Sequence, residues 1–149
     1  MSDNGTIQFI YASSATFGDG DIETSLTQRT VFNIVRQSRR NNPGWGVVGA
    51  LLFGDGHFLQ ILEGNEDDID RLTSVIFNDE RHSEPKILRR RSIDAPQFGQ
   101  WSMKFPTMSE DLRPVLKLSR GKRFHPHSLD DRKLDTLIQH LLTQEETIV

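Results

Sequence analysis

Val47-Val48-Gly49-Ala50-Leu51-Leu52-Phe53, Gly54-Asp55-Gly56 and His57-Phe58-Leu59-Gln60-Ile61-Leu62 follow one another without interruption. Two β-rich runs, Val47 to Phe53 and Phe58 to Leu62, flank a glycine-bearing connection, the pattern of paired antiparallel strands closed by a tight hairpin. Upstream, Val31, Ile34, Val35 and Ser38 recur at helical spacing and run into Asn41-Asn42-Pro43-Gly44, a helix stop. Before that helix, Thr6 to Ser13 reads as a strand in which Ile7, Phe9 and Tyr11 share one face. Downstream, acidic Glu66-Asp67-Asp68 opens a second helix carrying Ile69, Leu72, Val75 and Ile76. A polar Asp79 to Glu84 loop leads to a fourth strand, Lys86 to Ile93, and Trp101, Met103 and Phe105 alternate on a short fifth. The order βαββαββ implies an α+β ferredoxin-like sandwich, because right-handed crossovers put both helices on one face of the sheet and make strands one and three neighbours. The bare face needs a cover. Leu134, Leu137, Ile138, Leu141 and Leu142 form an amphipathic stripe that supplies one, with a shorter helix around Leu112, Val115 and Leu116 before it. Residues 1–105 then form the sandwich and 106–149 a two-helix extension, with linkers at Pro106 to Asp111 and Gly121 to Pro126.

Composition restricts the function classes. The chain has 149 residues, 35% hydrophobic and 26% charged, with a net charge of −3. No apolar run reaches the ~20 residues that span a bilayer, and the short polar start Met1 to Thr6 lacks a leader pattern, so a cytoplasmic location is expected. The absence of cysteine excludes disulfides, thiolate catalysis and iron–sulfur ligation. The acidic balance offers no global attraction to nucleic acid. Arg39-Arg40 and Arg89-Arg90-Arg91 read as a solvated face or rim, and Glu63, Asp67 and Asp68 as loop and helix-start charges. His125-Pro126-His127 has too few neighbouring ligands for a metal site, and none is assigned.

Against this plain background a few polar side chains interrupt apolar or turn-forming stretches: Tyr11, the only tyrosine, then Ser13, Asn41, Asn42 and Gln60. Singly, a strand tyrosine is core and two asparagines before Pro-Gly are a cap. A strand glutamine grouped by parity with Phe58 and Leu62 is more telling, since a buried amide costs a few kcal/mol unless it is bonded. Together these residues supply hydrogen-bond donors, acceptors and one oxidisable phenol, a set suited to a polar aromatic ligand. None pairs a hydrolase's nucleophile with its base, so no catalytic turnover is expected.

The combination Tyr11-x-Ser13, Ser38-Arg39-Arg40-Asn41-Asn42-Pro43, Gly49-Ala50-Leu51-Leu52, Gly54 through Gly64, Asp79-x-Arg81-His82 and Trp101-Ser102-Met103 resembles the BLUF domain, the bacterial sensor of blue light using flavin. The resemblance runs from about Ile7 to Phe105, and the tail resembles that of short single-domain members. It implies a non-covalently bound flavin, FAD first and FMN or riboflavin as alternatives. Tyr11 would give an electron and then a proton to the excited flavin, and Gln60 would lie between that phenol and the flavin carbonyl edge. Asn42 would hold the pyrimidine side, with Asn41 beside it. Ser13 would flank Tyr11, Ile34 and Ser38 would line the ring, and Asp79, Arg81 and His82 would lie near its edge or the ribityl chain. Trp101 and Met103 would sense the glutamine's state and signal through the C-terminal helices to a downstream protein, from a dimer or larger ring. The resemblance does not interpret Trp45.

The same topology hosts RNA-binding domains and small acyl-phosphate hydrolases. The first lack their stacking aromatics here, and the second fit poorly around any arginine and asparagine pair.

Overall fold

The computed structural model describes residues 5–106 and 123–146. The elements are β1 (Thr6–Ala15), α1 (Ser25–Trp45), β2 (Val48–Gly54), β3 (His57–Asn65), α2 (Glu66–Phe77), β4 (His82–Ser92) and α3 (Asp131–Thr143), with a 3-10 turn over Pro126–Ser128 before α3. The strands lie in the order β2-β3-β1-β4, each pair antiparallel. The α+β ferredoxin-like arrangement therefore holds, with β1 beside β3. The β2–β3 connection is the expected hairpin. Asp55 (φ 50) and Gly56 (φ 81) both adopt the left-handed region, the two-residue turn whose twist matches that of its strands.

Parity along the strands divides the interior into two layers. Ile7, Phe9 and Tyr11 face α1 and α2 and pack with Val31, Val35 and Leu72, whereas Ile10, Ala12, Leu59 and Ile61 face away. Leu134, Leu137, Ile138 and Leu141 of α3 close that second layer, as their stripe predicts, and Leu142 packs at its margin. The expected helix around Leu112, Val115 and Leu116 and most of the Pro106 to Asp111 linker lie outside the described residues. Phe124 and Pro126, expected in a linker, are buried.

Four expectations need correction. The Asn41-Asn42-Pro43-Gly44 run does not stop α1, which continues to Trp45 and ends at left-handed Gly46, whose N–H reaches the carbonyls of Asn42 and Pro43. Pro43 forfeits a single helical bond, and the last turn is held by tertiary contact: Asn42 is buried, and its Nδ2 donates to Ser102 O at 2.7 Å. β4 begins at His82 rather than Lys86. As an edge strand with register shifts and Glu84 at φ 54, it tolerates Pro85 without losing a ladder bond. The fifth strand is reduced to a parallel bridge between Ala50 and Lys104. Gly49 N–H donates to Trp101 O, and Gly49 O accepts from Lys104 N–H, so residues 101–104 bend around one residue of β2. That bend breaks the expected alternation.

The charge readings are the fourth. Glu63 is fully buried on β3, where it accepts from Gln8 Nε2 at 2.9 Å and from Phe98 N–H at 2.8 Å. Arg89 is buried as well, donates to Gln8 Oε1 and pairs with Asp131 and Asp135 of α3. Parity explains both. Glu63 and Arg89 project into the α3 layer, where a charge persists only when hydrogen-bonded.

Candidate functional site

A cavity of about 180 Å³ opens between α1, α2 and the sheet face that carries Tyr11. Ile34, Ser38, Asn41 and Asn42 reach it from α1, Tyr11 and Gln60 from the central strands, and Asp79, Arg81 and His82 from the segment after α2. Nine of the residues singled out in the sequence thus share one site. Ser13 lies just behind it, hydrogen-bonded to His82 Nδ1 at 2.8 Å.

Tyr11 and Gln60 are opposite one another in the β1–β3 register, and the phenol donates to Gln60 Oε1. Gln60 Nε2 is directed at Met103 Sδ, 4.0 Å away, a soft and weak acceptor. Burial pushes the Tyr11 phenol far above its ordinary pKa, and the Asp79 carboxylate pushes it in the same direction. Phe77 meets the phenol ring edge-on, with centroids 5.1 Å apart.

Across the cavity the charges are paired. Arg81 binds Asp79 with both Nε and Nη2 and reaches across to Gln37 Oε1 on α1 at 2.8 Å. Those bonds hold the Asp79 carboxyl below its usual range. His82 Nε2 lies 2.6 Å from Ile76 O, which can only accept, so Nε2 carries the hydrogen. Ser38 Oγ returns its hydrogen to Ile34 O at 3.0 Å.

Trp101 and Met103 are not a pair. Met103 is buried in the cavity-side layer against Gln60, while Trp101 packs on the opposite layer beside Phe98, with the Lys104 amine 4.0 Å over its ring. Gln37 and Trp45 complete the lining from α1, and Leu72, Val75 and Ile76 from α2. Trp45 was missed because its place depends on α1 running through Pro43. The α2 residues were read as core alone, and their helical spacing gives no sign that one end of the stripe borders open space.

The apolar part of the lining is Ile34 and Trp45 of α1, Leu72, Val75 and Ile76 of α2 and Leu51 and Phe58 of the sheet, and the polar part is the Asn41, Asn42, Gln60 and Gln37 amides with Ser38, Tyr11, Asp79, Arg81 and His82. Such a lining suits a planar ligand with a polar edge. The fold and cavity define a ferredoxin-like α+β domain with a ligand-sized site between its helices and its sheet.

Comparison with known proteins names the family. The sequence model of BLUF, sensors of blue-light using FAD, matches residues 6–104, and the chain belongs to this family of flavin-based blue-light sensors. Solved structures of BlsA superpose closely: the photo-activated state at TM-score 0.84 and 27% identity, covering 97% of this chain and 100% of that one. BlrB, a BLUF protein in its dark state, matches at TM-score 0.66 and 28% identity over 78% of this chain and 82% of that one. Among curated proteins, the blue light- and temperature-regulated antirepressor BluF of Escherichia coli is 28% identical over 122 residues, 80% of this chain and 30% of that protein. Photoactivated adenylate cyclase subunit alpha of Euglena gracilis is 36% identical over 59 residues, 40% of this chain. The chain spans 6% of that cyclase's length.

The residues present fit the family's flavin. The Asn41, Asn42 and Gln60 amides each offer a donor and an acceptor, matching a ring edge on which carbonyls and ring nitrogens alternate. Ile34, Trp45, Leu72, Val75 and Ile76 supply apolar surface for a ring face, and no helix among the described residues is long and apolar enough to cross a membrane.

Proposed function

We propose that the protein reports blue light through a hydrogen-bond switch made of Tyr11 and Gln60, read out by Met103 and passed to the C-terminal extension. The observation that carries this reading is the cross-strand bond from the buried Tyr11 phenol to Gln60 Oε1 at the cavity wall. Asn41, Asn42 and Gln60 would hold the polar edge of the flavin, Ile34 and Ser38 its face, and Arg81, Asp79 and His82 the side chain leaving the ring. FAD is the expected form.

Bound there, flavin would supply a blue-absorbing ring whose excited state is a strong one-electron oxidant, with Tyr11 as the donor. Burial favours the neutral phenol, which therefore still holds its proton when its electron is withdrawn. That proton would leave along the bond to Gln60 Oε1, and electron and proton would both return to the phenol, so that no net oxidation remains. A rotated or tautomeric Gln60 would then present a different donor and acceptor edge to the cavity, and dark reversal would restore the first.

A neutral hydrogen bond is worth only ~0.5–1.5 kcal/mol net, so the output must be a nearly balanced packing choice. The Gln60 Nε2 to Met103 Sδ contact is weak enough to be exchanged. The residues around Met103 grip the tail. Arg39 donates to Met103 O at 3.0 Å and pairs with Glu146 at 2.7 Å, while Lys104 Nζ donates to Leu142 O, in the last turn of α3, at 3.3 Å. Residues 1–105 thereby act as sensor and 106–149 as cap and output, in a cytoplasmic protein without catalytic turnover that signals as a homo-oligomer to a separate protein.

The test is an absorption spectrum before and after a blue flash. A flavin spectrum that shifts slightly to the red and returns in the dark is expected. A bound flavin that only bleaches would overturn the switch.

A further inference from the structure

Three histidines outside the cavity converge at the end of the sheet. His57 follows the β2–β3 turn, and His125 and His127 come from the segment before α3. The His57 ring centroid lies 5.2 Å from that of His125 and 5.6 Å from that of His127, which are 4.9 Å apart. The contact joins the extension to the hairpin, together with the bond from Phe124 N–H to Asp55 Oδ2 at 2.6 Å.

A hydrogen bond fixes where the His127 lone pair lies. His127 Nε2 is 3.0 Å from Glu84 O, which accepts only, so Nε2 carries hydrogen and Nδ1 does not. That Nδ1 is buried and has no hydrogen-bond partner among the described residues. His57 Nδ1 lies 3.1 Å from Ser14 Oγ, which is also 3.4 Å from Glu84 Oε2. A neutral imidazole carries one proton-accepting nitrogen in either tautomer, so the adjoining rings bring several such nitrogens together. Among the described residues no three side chains are arranged to hold a metal ion, and the proton is the ligand this geometry accommodates.

We propose that His57, His125 and His127 form a proton-operated latch: as neutral rings they fasten the segment around Phe124 to Ser128 onto the hairpin, and protonation drives the segment off. The charged groups facing the cluster are Asp55 on the turn, which accepts from Phe124 N–H, Glu84 on β4, which accepts from Ser14, and Lys86 on β4, whose amine donates to His127 O at 3.0 Å. Burial first, and then the two neighbouring rings, lower the His57 pKa below the ordinary 6.5, outweighing Asp55 and Glu84. A base whose pKa is lowered by folding binds more protons when released. The latch is fully closed above 6.5 and opens as the pH falls through the lower folded value.

The experiment is an NMR titration of the histidine rings in the dark-state full chain, with amide protection factors over residues 123–130 measured at pH 7.5 and 5.5. We expect His57 to titrate below 6.5 and to move upward in His125→Gln, since His125 is exposed and its replacement leaves the core intact. Protection at Phe124 should fall on acidification by about tenfold for each unit of lowered pKa, and His57→Gln should remove most of that fall. Three independent titrations at or above 6.5 with constant protection would overturn the latch. So would a segment that tightens with added zinc at pH 7.5 and ignores protons.

Discussion

Tyr11 and Gln60 occupy the same rung of the β1–β3 ladder, so the bond from the phenol to Gln60 Oε1 is built into the strand register. Slipping the register by one residue would send every β1 side chain to the opposite layer. The bond is thus held by the sheet itself. Its lateral neighbours are Phe77, edge-on to the phenol, and Met103, whose sulfur faces Gln60 Nε2.

Tyr11→Phe keeps the aromatic packing and removes the group that, among the described residues, donates to Gln60 Oε1. Bound flavin should remain while the reversible red shift is lost. The orphaned amide oxygen should cost about 1–3 kcal/mol of stability, measurable by denaturant titration.

Gln60→Leu preserves the apolar volume of the site and deletes the relay. Flavin binding should persist without the red shift. A photocycle like that of the wild type in this variant, followed by flash spectroscopy, would remove Gln60 from the proposed mechanism.

Lys104→Met separates sensing from output. Lys104 is 2% exposed, its amine pKa is lowered by burial, and it spans the Trp101 ring and Leu142 O. The variant should show a red shift of normal size. Light-dependent hydrogen exchange in α3, expected in the wild type, should shrink severalfold or vanish; an undiminished response would show that the signal travels elsewhere.

Asp79 sets an acid limit. Its pKa is lowered in the folded protein, chiefly by the Arg81 hydrogen bonds, so its stabilising contribution is present above the ordinary 3.8 and is lost as pH falls through the lower folded value. Melting temperature followed from pH 5 downward should fall less steeply in Asp79→Asn than in the wild type. Equal slopes would mean the pair with Arg81 is not maintained in solution.

Gly49→Ala tests the close packing at the bend. A Cβ there would stand 1.9 Å from Ile61 O, a backbone atom fixed by the β2–β3 ladder. We expect a loss of about 3 kcal/mol or more, lowering the melting temperature by roughly 6–12 °C. A stable variant would show that β2 can shift its register.

Much of this arrangement is legible in the sequence because strand parity is a strict two-residue code. Parity alone put Tyr11 beside Ile7 and Phe9 and grouped Gln60 with Phe58 and Leu62, and the 3.6-residue helical period gave α3 its buried stripe. What failed depends on tertiary contacts that leave no periodic trace. Pro43 looks like a terminator until Asn42 is seen anchored to Ser102 O. Trp101 and Met103 look like same-face neighbours until Gly49 is seen bonding to both Trp101 and Lys104. Glu63 and Arg89 look like surface charges because Gln8, Phe98 N–H and the two aspartates of α3 come from distant parts of the chain.

The two-layer interior has an evolutionary consequence. A single sheet insulates the cavity from the α3 layer, and the described route between them skirts the β2 edge through residues 102–104. Side chains of the α3 layer can therefore change without touching the cavity lining, and the lining can change without repacking α3, so the two layers are free to diverge separately.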